Sequence, residues 1–262
     1  MELRLYDRPA RPLAEQPSRL GRPRWWVNVL GEFDRWAAPP ADAEQTEERE
    51  RSLVPVALVL TAALLAQAGQ LLVPEVRAFL DERDILYRAS WAGFTIAKQA
   101  ALFVLMLVAL RIKEQPLVSI GFPRLDARRT ALAVALVGGA LGAAVLHRSD
   151  YLVTEGAQHW MVPLWTEERL LWVLLGLSAA VVEESVFRGF AIVWLYRWSG
   201  YLPLAVLLPA LVFAAGHAYF GWVNVLFAFA AALVFSLVFL WRRDLYWLMV
   251  VHFLVDALVL LA

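Results

Sequence analysis

Cysteine is absent from the 262 residues, which excludes disulfide frameworks and thiolate metal sites. Charge is also scarce: Asp, Glu, Lys and Arg make up 18% of the chain, against about 25% in soluble domains. The 24 basic residues are balanced by 24 acidic ones, so no polyelectrolyte surface for nucleic acid is expected. The first 50 residues hold 6 of the 13 prolines and 8 arginines. They lack the apolar run of about 7–15 residues that a cleavable signal peptide carries. No repeat of solenoid length occurs, and no linker separates two folded domains.

What is abundant is apolar sequence, at 61% of residues. Leu53–Val73 carries no charge over 21 residues, Trp91–Leu110 carries only Lys98, and Tyr201–Trp241 carries no formal charge over 41. A membrane span needs about 20 such residues at 1.5 Å each. The runs predict an all-α, polytopic membrane bundle of about seven transmembrane helices, near 53–73, 91–110, 130–147, 169–197, 203–220, 222–241 and 245–262. The chain then divides into a flexible cytoplasmic tail (1–50), N-terminal helices with an external connection (51–168) and a C-terminal core (169–262). Basic residues orient it. Arg49, Arg51, Arg111, Lys113, Arg124, Arg128, Arg129, Arg197, Arg242 and Arg243 would share one side, against Arg77, Arg83, Arg88 and Arg148 on the other. Positive-inside counting places the N-terminus in the cytoplasm and the C-terminus outside. In the third helix Gly138 and Gly142 form a small-xxx-small pair that predicts close packing against another backbone.

Three clusters of ionisable residues interrupt the apolar runs: Glu183-Glu184 with Arg188, His217 with Phe213 one turn before it, and His252 with Asp256. A charge near the bilayer centre costs about 2.5 kcal/mol or more, so each cluster is a candidate site. Residues four apart share a helix face, so Glu184 and Arg188 pair, and Asp256 can orient the His252 ring. Glu183 is turned about 100° from Glu184 and has no partner on its own helix. A carboxylate near an imidazole is how water is activated for hydrolysis. The competing reading is a structural polar core. That accounts for Glu184 and Arg188 but leaves Glu183 over.

The order of these clusters resembles the CPBP group, the CAAX proteases and bacteriocin-processing enzymes also called Abi, which includes the type II CAAX prenyl endopeptidases. Glu183-Glu184-Ser185-Val186-Phe187-Arg188-Gly189 looks like its EExxxR motif, Phe213 to His217 like FxxxH, and His252 to Asp256 like HxxxN/D. Ser119-Ile120-Gly121-Phe122 is similar to a short segment that often precedes that core. The resemblance implies an intramembrane endopeptidase in which Glu183 and His217 activate water and His252 stabilises the oxyanion. Glu184, Arg188, Asp256 and Phe213 would support them. Asp256 stands where the family often has Asn, and an ionised carboxylate cannot donate a hydrogen bond; the oxyanion role therefore goes to His252.

No cofactor is expected on this reading. A divalent metal such as zinc would have Glu183, His217 and His252 as ligands and keep an open fourth position, so a metal-dependent variant stays beside the glutamic one. The expected partners are the lipid bilayer and a membrane-associated protein or peptide substrate, with oligomeric state left open. Composition and topology read as those of a prokaryotic cell membrane, which weighs against a prenylated CAAX tail as substrate. Two rivals remain. One is a non-catalytic immunity or assembly factor, recognised by loss of folded protein whenever a charge is removed. The other is a proton-coupled transporter, against which the lack of an inverted repeat argues.

Overall fold

The computed structural model describes residues 31, 33, 37, 45–72, 85–124, 126–146, 166–218 and 222–261. Most of the expected tail and of the external connection at 148–168 lie outside the described residues. In hydrocarbon a backbone must satisfy its own hydrogen bonds, and long uncharged runs do so as helices. The helices are α1 (Gln45–Leu72), α2 (Ile85–Ile112), α3 (Ala127–Leu146), α4 (Thr166–Glu183), α5 (Val193–Ser199), α6 (Leu202–Ala215), α7 (Trp222–Arg242) and α8 (Leu245–Leu261). A π-helical segment, Glu184–Ile192, joins α4 to α5 without a break. Among the described residues the result is a bundle of seven helical rods with no strand.

Four stretches are long and apolar enough to cross a membrane: Ala92–Ile112, Ala127–Val145, Arg169–Ser199 and Trp222–Arg242. Shorter apolar helices cover Leu53–Ala66, Leu202–Ala215 and Leu245–Ala257. The protein is an integral membrane helix bundle. Two boundaries differ from the sequence expectation. Helix α1 starts at Gln45, inside the segment read as a tail. Helix α6 stops at Ala215 rather than 220, and His217 sits in the turn beyond it, its backbone N donating to Ala214 O at 2.9 Å.

The α4–π–α5 rod is the centre of the bundle. Of its apolar window 61% is buried, against 6% for α3. Helices α2, α3 and α8 pack on α4, while α6 and α8 reach the π segment. Two residues of the expected tail enter the core here. Phe33 and Ala37 are both buried, with the Phe33 ring 5.4 Å from that of Tyr196 and Arg197 Nε donating to Ala37 O at 3.3 Å. Phe33 and Ala37 are thus packed against the bundle. The expected packing of Gly138 and Gly142 is not found among the described residues: a Cβ on either would meet nothing within 4 Å.

A short 3-10 turn, Leu117–Ile120, closes the arginine-rich end. It ends on Gly121 at φ 81°, a left-handed conformation that glycine adopts without strain. The Gly121 carbonyl accepts the Leu245 N–H at 2.9 Å and so holds the start of α8. Beside it Arg129 pairs with Asp244 at 2.7 Å, and the Tyr246 hydroxyl donates to Arg129 O at 2.7 Å. These contacts tie the first turn of α3 to the first turn of α8, the helix that carries His252.

Candidate active site

The site is built around the π segment. Here the backbone bonds i→i+5, which widens the turn; π turns of this kind are frequent at functional sites. At its entrance the Ser185 hydroxyl donates to Val181 O at 2.6 Å, a back-bond of the sort that bends helices. Every residue from Glu184 to Ile192 is buried. Gly189 is where the segment meets the 3-10 turn. A Cβ there would lie 2.7 Å from Ile120 O and 2.8 Å from Leu245 Cδ1, so only glycine fits.

Glu184 and Arg188 pair as their spacing predicts, Nη1 to Oε1 at 2.9 Å, with side chains 0% and 2% exposed. The pair is not self-contained, however. The same Glu184 Oε1 also receives His252 Nδ1 at 2.8 Å, and Glu184 Oε2 is buried without a hydrogen-bond partner among the described residues. Glu184 thus bridges the rod to α8, an arrangement that no spacing rule within one helix could show. The Arg188 guanidinium lies 4.4 Å from the Phe213 ring centroid and 5.5 Å from that of Phe235, within cation–π range of both.

With Nδ1 on Glu184, the other His252 nitrogen points at two more carboxylates. His252 Nε2 is 3.9 Å from Glu183 Oε2 and 3.6 Å from Asp256 Oδ2. Glu183 is 12% exposed, so it is accessible where Glu184 is not. Its Oε1 takes a hydrogen bond from Gln99 Nε2 of α2 at 3.5 Å, and Lys98 lies within electrostatic reach of it. Sequence reasoning missed Gln99 because it followed formal charges only. The available signal was the polar run Thr95, Lys98 and Gln99 on one face of an otherwise apolar helix.

His217 joins the cluster through Phe213. Its Nδ1 is 2.9 Å from Phe213 O, and a carbonyl only accepts, so Nδ1 carries the hydrogen. In the neutral ring Nε2 then holds the lone pair. The Phe213 ring stands 4.7 Å from the His217 ring, 6.5 Å from His252 and 5.4 Å from Phe187. Of the two histidines, His252 brings Nε2 to 3.9 Å from Glu183 Oε2, while the sequence reading pairs Glu183 with His217. As for a metal, no three His, Asp or Glu side chains are grouped to hold an ion among the described residues. The set Glu183, His217 and His252 is not gathered as ligands.

Fold and site together define the class: a polytopic, all-α integral membrane protein with an acid–imidazole cluster inside its most buried rod. Residues 165–258 match the family model described as type II CAAX prenyl endopeptidase Rce1-like. The match covers rather more than a third of the chain, from the start of α4 into the last turns of α8. Glu183, Glu184, Arg188, Phe213, His217, His252 and Asp256 all fall inside it; Gln99 and the Leu117–Ile120 turn fall outside. Comparisons with curated proteins and with solved structures return no match.

Proposed function

We propose that the protein is an intramembrane endopeptidase that hydrolyses a peptide bond of a membrane-associated protein or peptide, with Glu183 as general base. Glu183 removes a proton from water, and the resulting hydroxide attacks the scissile carbonyl carbon. His252, its Nδ1–H held by Glu184, offers Nε2–H in its charged form to the developing oxyanion. The C–N bond then breaks, and the proton taken up by Glu183 is returned to the leaving amine, directly or through His217 Nε2. Glu184 and Arg188 fix the position of His252, and Asp256 flanks its ring. No step passes through a metal, and the reaction is of the glutamic type.

One observation carries this reading. Of the two adjacent carboxylates, Glu184 is fully buried and bound to Arg188 and His252, while Glu183 is partly exposed with Oε2 turned toward His252 Nε2. The distribution of arginines supports an N-terminus in the cytoplasm and a C-terminus outside, and composition and topology support a prokaryotic cell membrane. The test is mass spectrometry of membrane peptides from cells making the wild-type protein or Glu183→Gln at equal level. The substitution should lower formation of specific product pairs at least about 100-fold, the range seen on losing a general base. Identical products at identical yield would sink the protease reading and leave the non-catalytic one.

A further inference from the structure

Gln99 sits where α2, outside the matched segment, reaches Glu183 with a hydrogen bond. Its side chain is 6% exposed, and an amide buried in an apolar bundle is costly unless both ends are bonded. Both are. Nε2 donates to Glu183 Oε1 at 3.5 Å, and Oε1 accepts from the hydroxyl of Ser178, five residues before Glu183 on α4. The chemistry allows only one orientation. An ionised carboxylate only accepts, so the amide must turn its NH2 to Glu183; its oxygen then faces the Ser178 hydroxyl, whose one hydrogen is shared between that oxygen and Leu175 O. The Ser178 hydroxyl also lies 2.9 Å from Leu175 O, which keeps it on this face of the helix.

We propose that Gln99, held by Ser178, is a positioning residue for Glu183: it anchors Oε1 so that Oε2 faces His252 and the attacking water. The inference rests on Glu183 being the base. Its rival is that Gln99 and Ser178 only fasten α2 to α4. A fastening would show in stability and leave the reactivity of Glu183 unchanged.

The experiment uses the full chain in phosphatidylethanolamine–phosphatidylglycerol vesicles. Modification of Glu183 by a membrane-soluble carbodiimide is followed by mass spectrometry, which needs no substrate. Gln99→Leu should change the Glu183 rate about threefold or more, as loss of a hydrogen bond to a charged group would. Ser178→Ala should act in the same direction and less, and the double variant no more than Gln99→Leu alone. Val104→Ala, on the lipid-facing side of α2 at 56% exposure, should match wild type. On any peptide the wild type cleaves, Gln99→Leu should lower kcat about tenfold with KM unchanged, the pattern of an interaction made in the transition state. An unchanged Glu183 rate, additive effects of the two substitutions, or a change in KM alone would overturn the proposal. If Gln99→Leu fails to fold, Ser178→Ala decides by the same rate. The two readings fail separately: undiminished cleavage by Glu183→Gln removes the base, whereas the carbodiimide rate answers for Gln99 alone.

Discussion

The central rod and α3 are both apolar and both long enough to span a bilayer, with mean hydropathies of 1.8 and 1.3. Yet 61% of one window is buried and 6% of the other. Hydropathy cannot tell them apart, because lipid tails are as apolar as a protein interior. What separates them is polar chemistry and fit. The rod carries Glu183, Glu184 and Arg188 and a glycine with no room for a methyl group, whereas α3 carries three glycines with open space around each. In this bundle, burial follows the residues that need a partner.

That contrast can be broken at graded cost. Arg188→Ala would leave the fully buried Glu184 carboxylate with His252 alone, and removing one member of a buried pair costs about 3–5 kcal/mol. Thermal unfolding in detergent should show this as a large drop in midpoint or a failure to accumulate folded protein. Gly189→Ala should cost less, about 1–3 kcal/mol as for an overpacked core, because its Cβ would collide with the Ile120 carbonyl. A midpoint equal to wild type would mean that the 3-10 turn gives way freely. Smallest of all should be Gly139→Ala on α3, within about 0.5 kcal/mol of wild type. A loss above about 1 kcal/mol would show that the glycine face of α3 has a packing partner and erase the contrast.

Much of this was legible in the sequence, for a physical reason. Charges inside membrane-length runs are expensive enough to stand out, so Glu183, Glu184, Arg188, His252 and Asp256 could be found by counting, and helix spacing paired Glu184 with Arg188. What crossed between helices was not legible. The second bond of Glu184, to His252, and the bond from Gln99 to Glu183 join residues 68 and 84 positions apart. The π segment was hidden because its residues still read as an apolar helix. His217 was placed inside a helix that ends two residues earlier, since Gly216 and His217 are not strong stop signals in apolar surroundings. Gly138 and Gly142 misled, because small residues permit close packing without requiring it.

The carbonyl of Ile120 against Gly189 has a consequence for how this protein can be divided. The matched segment begins at residue 165, but a contact that leaves Gly189 no room for a Cβ is made by a residue well before that boundary. The same turn fixes Leu245 at the head of the His252 helix, and α2 supplies the amide on Glu183. Grafted alone into another bundle, 165–258 would lose the wedge that shapes its π turn. A transplantable unit has to include, besides the matched segment, at least the second helix and the turn that follows it.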